Sequence, residues 1–162
     1  MKLAICPGSF DPVTIGHLDI IGRARKIFDH VIVAVMVNPE KHTMFTTEER
    51  IALIQKCTKD MEDVEVVSFD GLLADYAKMR GATAIVKGLR AMSDFEYEFQ
   101  QALTNRKLKP ELETVVRSTR AENMFLSSSI VILIASFGGF VYNFVPACIL
   151  DDIKERIYAA KE

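Results

Sequence analysis

The sequence predicts a single α/β domain built on a parallel sheet, and three observations carry that prediction. Short continuous apolar runs such as Val31-Ile32-Val33-Ala34-Val35-Met36-Val37 recur along the chain, as strands covered on both faces require. Between them lie segments whose apolar residues return at helical spacing, several opened by Thr or Ser and closed near Gly. No linker, repeat or low-complexity stretch divides the 162 residues, a length that suits one domain with a real core.

Taken in order, Leu3-Ala4-Ile5-Cys6 is the first strand, followed by the small-residue loop Pro7-Gly8-Ser9-Phe10-Asp11-Pro12 and a helix carrying Leu18, Ile20, Ile21, Ala24, Ile27 and Phe28. The second strand, 31–37, ends at Asn38-Pro39, and a polar loop with Lys41 and His42 follows. Thr46 and Glu49 are spaced for a capping box that opens a helix with Ile51, Ile54, Cys57 and Met61 facing inward. Val64 to Phe69 is a third strand, and Leu72 to Met79 a helix stopped near Gly81. Thr83 to Val86 is a fourth strand leading into Lys87-Gly88-Leu89-Arg90. Ser93 and Glu96 are spaced for a second capping box, opening a helix through Phe95, Phe99, Ala102 and Leu103. Glu113 to Ser118 is a fifth strand, and Ser128 begins a helix that ends at Gly138-Gly139. Pro146 stands at the first turn of a last helix with Ile149, Ile153 and Ile157 inward. Five strands alternating with helices make a Rossmann-like, doubly wound five-stranded parallel sheet.

Composition excludes several classes of function. Hydrophobic residues at 49% and charged residues at 26% describe a soluble globular protein, and a net charge of −2 gives no general reason to expect a nucleic-acid partner. Cys6, Cys57 and Cys148 lack metal-ligand spacing and each lies in an apolar pattern, so they read as buried free thiols of a cytoplasmic protein. The N-terminus runs straight into a strand without signal-peptide anatomy. Met124 to Leu150 holds no charged residue, but Ser127-Ser128-Ser129, Gly138-Gly139, Asn143 and Pro146 break it up, so no membrane span is expected.

In a sheet of this kind ligands bind beyond the carboxyl ends of the strands. Ser9 and His17, Lys41, Lys87 and Arg90, and Ser127 to Ser129 all follow strands and fall at that edge. Taken singly each has a plain reading: Lys41 a solvated charge, His17 a helix cap or packed ring, the serines a loop and N-cap. Their convergence favours a phosphate site made of cations, hydroxyls and helix N-termini. No Cys–His or Ser–His–acid arrangement supplies a nucleophile, and neither the P-loop nor the Gly-x-Gly-x-x-Gly pattern is present. The set suits transfer of a nucleotidyl group by positioning and electrostatics.

Thr14-Ile15-Gly16-His17 resembles the T/H-x-G-H signature of the nucleotidylyltransferase superfamily. With Pro7 to Pro12, Lys87 to Arg90, Asp94-Phe95-Glu96-Tyr97-Glu98 and Phe125 to Ser129, nearly the whole chain resembles the bacterial phosphopantetheine adenylyltransferase family. That resemblance implies transfer of the adenylyl group of ATP to 4′-phosphopantetheine with Mg²⁺, giving dephospho-coenzyme A and pyrophosphate, in a hexamer of two trimers. It implies catalytic roles for His17, Lys41 and Arg90, and an ATP site of Ser9, Phe10, His17, Lys87, Gly88, Arg90, Glu98, Ser127, Ser128 and Ser129. The second substrate would meet Ser9, Lys41 and Lys87, with Leu73 and Asn105 along its pantetheine arm. Lys87 stands where many relatives carry arginine, which keeps the charge without the bidentate fork. Another nucleotidylyltransferase, such as a cytidylyltransferase, is the alternative enzyme.

The chain departs from that family after the triple serine. It reads Val131-Ile132-Leu133 where relatives continue Val-Lys-Glu, and Phe140 and Tyr142 replace an acid and a small polar residue. Ile130 to Leu133 cover a whole helical circumference, which predicts burial on every side. Three readings follow: a deeper local core, the family's own subunit contact, or an added protein–protein interface of Ile132, Leu133, Phe140 and Tyr142, natural or engineered. In the last, the fold is a scaffold for assembly with its activity reduced or unused. Val116-Arg117-Ser118 also replaces larger apolar residues, leaving Arg117 to line a subunit channel or answer an acidic partner.

Overall fold

In a computed structural model that describes residues 1–159, five parallel strands form one sheet in the order β3-β2-β1-β4-β5. The strands are β1 (Leu3–Gly8), β2 (His30–Met36), β3 (Val64–Phe69), β4 (Ala84–Leu89) and β5 (Glu113–Ser118). The helices are α1 (Ile15–Ala24), α2 (Thr47–Thr58), α3 (Leu73–Arg80), α4 (Met92–Leu108), α5 (Ser128–Ser136) and α6 (Leu150–Ala159), with 3₁₀ turns at Ala121–Asn123 and Ala147–Ile149. The predicted sheet, its parallel pairing and its double winding are all present. Strand order reverses between β1 and β4, where a crevice opens in sheets of this topology.

Strand alternation divides the core. Ala4, Cys6, Val31, Val33, Val35, Ala84 and Val86 face one side, where Ile20 and Ile21 of α1, Ile54 of α2, Val131 of α5 and Ile153 and Ile157 of α6 close over them. Leu3, Ile5, Ile32, Ala34 and Ile85 face the other, against Ala74 and Ala77 of α3. Both faces of β1, β2 and β4 are therefore dry, which is why these strands read as continuous apolar runs. Gly81 ends α3 in the left-handed region at φ 69°. Gly88 lets α1 lie close to β4, since a Cβ there would stand 3.1 Å from Ile20 Cγ1.

Several local expectations need correction. The buried face of α2 is Arg50, Leu53, Ile54 and Thr58, with Ile51 and Cys57 only partly packed and Met61 beyond the helix end. Ser93 does not cap α4: the N-cap is Ala91, whose carbonyl accepts from the Asp94 N–H, and no side chain caps it. Helix α4 buries no residue, so Phe95 and Phe99, stacked on each other at 5.6 Å, point outward. Pro146 precedes the 3₁₀ turn rather than standing in the last helix. Of the cysteines only Cys6 is buried, whereas Cys57 is half-buried and Cys148 exposed. Among the described residues no helix is long and apolar enough to cross a membrane.

The deeper-core reading of the segment after Ser129 is also overturned. Val131 is buried, but Leu133 is 51% exposed, Phe140 79% and Tyr142 61%. In α5 Val131 and Ala135 are buried while Leu133 is exposed, so one side of the helix meets the core and the other meets solvent.

Candidate active site

The β1–β4 crevice is a cleft of about 440 Å³. It is lined by Ser9, Phe10, His17, Lys41, Lys87, Gly88, Arg90, Glu98 and Ser127 to Ser129, so every expected phosphate-site residue is brought together. Leu73 and Asn105, expected along the pantetheine arm, lie on α3 and α4 and do not line it.

The centre is the turn from β1 into α1. Thr14, the N-cap, accepts from the His17 N–H through its hydroxyl at 3.3 Å, while the His17 Nδ1 accepts from the Thr14 N–H at 3.0 Å. This is a capping box with histidine in the place usually taken by glutamate. Because Nδ1 is the acceptor, the neutral ring carries its proton on Nε2. Burial, and after it the nearby Arg90 cation, lower the His17 pKa to about 4. His17 is thus both the helix cap and a cleft residue: a neutral N–H donor held in one tautomer. The Phe10 ring meets the imidazole edge-on at 5.0 Å and limits its rotation.

Two buried polar residues that the sequence reading left without a role hold the turn from behind. Asp11 accepts from the backbone N–H groups of Met44 and Phe45 at 2.8 and 2.9 Å, fixing the loop that carries Lys41. Arg50, 4% exposed, donates to the Ser9 carbonyl at 2.7 Å and to the Thr47 hydroxyl at 3.0 Å. Arg50 stands on the inner face of α2, and a charged residue at a core-facing position was the available signal. Phe10 holds φ 49°, an uncommon conformation for a side chain of its size, in the middle of this braced loop.

Opposite, β4 delivers the cations. Lys87 Nζ lies 3.3 Å from Glu98 Oε2 but off a hydrogen-bonding direction, so that enclosed oxygen keeps an unused acceptor site. Arg90 pairs with Asp94 at 3.3 Å and donates to the Leu126 carbonyl at 2.9 Å, anchoring the serine loop. Lys41 has no carboxylate partner among the described residues and stands 3.4 Å from the Ser9 hydroxyl. Ser127 caps α5 by accepting from the Ile130 N–H, and Ser128 donates to the Pro12 carbonyl at 2.7 Å. The Ser128 hydroxyl ties α5 to the first loop, and Ser129 makes no side-chain bond among the described residues. The N-termini of α1 and α5 therefore meet at one cleft, a double source of positive potential and free N–H groups. Asp94, Thr119 and Asn123 also line it, and sequence reasoning missed them as site residues. So does Ile132, which separates it from the exposed Leu133, Phe140 and Tyr142 with which it had been grouped.

The cleft's carboxylates do not gather into a resident metal site. Asp94 and Glu98 each lie beside a cation, Asp11 is committed to backbone N–H groups, and no cluster of three His, Cys, Asp or Glu occurs among the described residues.

Comparison with known proteins places this geometry. Residues 5–134 match the cytidylyltransferase-like family model, so the chain is a nucleotidylyltransferase by class. Over 156 residues it is 53% identical to the phosphopantetheine adenylyltransferase of Caldanaerobacter subterraneus, covering 96% of this chain and 98% of that protein. A Clostridium tetani protein of the same name is 54% identical over 156 residues, and one from Clostridium botulinum strain 657 is 52% identical over 162, the whole of this chain and 99% of its own. The chain belongs to the phosphopantetheine adenylyltransferase family.

Proposed function

We propose that this cleft transfers the adenylyl group of ATP, as its Mg²⁺ complex, to the phosphate of 4′-phosphopantetheine, giving dephospho-coenzyme A and pyrophosphate. The observation that carries this reading is the neutral His17, locked by Thr14 among cations with Nε2–H as its free donor. A phosphate oxygen of the acceptor attacks the α-phosphorus in line, and the bond from that phosphorus to pyrophosphate breaks. Negative charge grows on the non-bridging α-oxygens, where the Nε2–H would donate without first having to lose or gain a proton. Lys41, with no carboxylate partner to leave among the described residues, would approach the reacting phosphates, and Ser9 would bridge the two substrates. Lys87, Arg90 and the two helix N-termini would hold the remaining phosphate oxygens. Mg²⁺ bound with the nucleotide would offset the charge of the departing pyrophosphate. Phe10, Gly88 and Glu98, with the Ser127–Ser129 loop, would complete the ATP site, the open Glu98 oxygen taking a hydroxyl or amino donor. The pantetheine arm would leave the cleft towards Leu73 and Asn105.

A pyrophosphate-release assay with 4′-phosphopantetheine and either MgATP or MgCTP tests the reading. It requires turnover with ATP that His17→Ala depresses by about 10²–10³-fold, as loss of one charge-stabilising donor does. Faster turnover with CTP would favour a cytidylyltransferase, and a fully active His17→Ala would remove the role given to His17.

A second reading concerns assembly, and exposed apolar residues favour it. The outward Phe95, Phe99 and Leu103 of α4 suit contacts between copies, in keeping with a hexamer of two trimers. Leu133, Phe137, Phe140 and Tyr142 are exposed as well, with the Phe140 and Tyr142 rings 6.1 Å apart, which suits a further protein–protein contact. Leu133→Glu, Phe140→Asp and Tyr142→Ser together should lower the native mass while the hexamer survives; an unchanged mass would reject the added contact. A cytoplasmic location suits this reading.

A further inference from the structure

We infer that Cys57 and Cys148 form a reversible intramolecular disulfide by exchange with small disulfides such as oxidised glutathione. Their sulfurs stand 3.4 Å apart, in direct contact, although the residues are 91 positions apart in sequence. The contact is held rather than incidental. Lys56, next to Cys57 at the C-terminal end of α2, bonds both oxygens of Asp152 at 2.8 and 2.9 Å, and Asp152 lies one helical turn beyond Cys148. Adjacent residues of one segment thus clamp adjacent turns of the other, with the two thiols side by side.

Exposure sets the order of events. Cys148 is open to solvent and is reached first, whereas Cys57 is half-buried against the core. Burial, followed by the hydrogen bond with Cys148, keeps the Cys57 thiol protonated well above the usual thiol range. The Cys148 thiolate attacks one sulfur of the small disulfide, joins it and releases the first small thiolate. Cys57 then loses its proton to water and attacks Cys148 Sγ, forming the internal bond and expelling the second thiolate. Two protein thiols are oxidised, one small disulfide is reduced to two thiols, and the released thiolates take up protons. Cys6, buried beneath the cleft with its pKa raised to about 12 by burial, stays out of this exchange and serves as an internal control.

The bridge joins the end of α2 to the turn that opens α6. Neither cysteine lines the cleft, so oxidation should tether the two segments without removing a site residue. Closing so long a loop restricts the unfolded chain more than the folded one.

The experiment treats the full-length protein with oxidised glutathione, alkylates it under native and denaturing conditions, and maps the peptides by mass spectrometry. The expected result is a Cys57–Cys148 cross-linked peptide with Cys6 alkylated only after denaturation. The melting temperature should rise on oxidation and return with dithiothreitol. Cys57→Ser should stop at glutathione on Cys148, and Cys148→Ser should take up no glutathione under native conditions. Stable glutathione on Cys148 of the unmutated chain, or Cys148 joined between two copies on a non-reducing gel, would overturn the assignment.

Discussion

The Gly8–His17 turn and the Ser127–Tyr142 segment both bring a helix N-terminus to the same cleft, yet they are built on opposite plans. In the first, nearly every polar group is answered inside the chain: Thr14 by His17, Asp11 by Met44 and Phe45, and Ser9 by Arg50. Phe10 and Val13 of the turn are buried, as are Ile20 and Ile21 of the helix it opens. In the second, Ser127 and Ser128 are answered, but two turns later Leu133, Phe137, Phe140 and Tyr142 stand exposed. A region completed within one chain fixes side chains for chemistry. A region left incomplete has its cover elsewhere, and its sequence describes a contact rather than a site.

Four substitutions or conditions probe that difference, from the largest expected effect to the smallest. His17→Ala removes the charge-stabilising donor and should lower kcat by about 10²–10³-fold, with a smaller loss of about 1 kcal/mol in stability from the broken cap. Initial rates and urea denaturation would separate the two effects.

The second uses pH. The folded-state pKa of about 4 for His17 lies below the ordinary imidazole value of 6.5, so the unfolded chain takes up its proton first as pH falls. Protonation of His17 in the unfolded chain therefore costs nothing above pH 6.5 and lowers stability progressively as pH falls towards 4, by about 3 kcal/mol in all. Denaturant titrations across this window should show a slope that His17→Ala lacks.

Asp11→Ala leaves the part-buried Met44 N–H and the buried Phe45 N–H without an acceptor, which should cost about 2–4 kcal/mol. It should also loosen Lys41, so the KM for substrate phosphates should rise beyond what the stability loss explains. The exposed segment should behave differently. Leu133→Glu with Phe140→Asp should change monomer stability by no more than about 0.5 kcal/mol, because both side chains already meet solvent. Thermal unfolding at a concentration where no assembly forms would check it, and a loss comparable to Asp11→Ala would mean that these residues belong to the core.

The same contrast explains what the sequence could disclose. The strands were legible because β1, β2 and β4 are dry on both faces and so show continuous apolar runs. The cleft was legible because the topology alone sends loops after β1, β2 and β4 to one edge. The Thr14–His17 box was half visible: the N-cap to N3 spacing is there, but an imidazole acceptor is not the residue the pattern names. Ser93 and Glu96 show the converse failure. Their spacing matched the pattern, yet α4 begins at Met92, where Arg90 has already been drawn into its bonds with Asp94 and Leu126. Periodicity also could not separate a buried apolar residue from one waiting for a partner, so Phe95, Phe99 and Leu133 looked like core. For Cys148 the apolar neighbours were real, but the 3₁₀ turn that carries it leaves the residue exposed.

The role of the first region comes down to the state of one ring. Following the ¹⁵N resonances of the His17 imidazole by NMR across a pH titration reads both its tautomer and its pKa. A neutral ring protonated at Nε2, titrating near pH 4, is the result required of a preformed donor held by Thr14. A ring that titrates near 6.5, or carries its neutral proton on Nδ1, would contradict it.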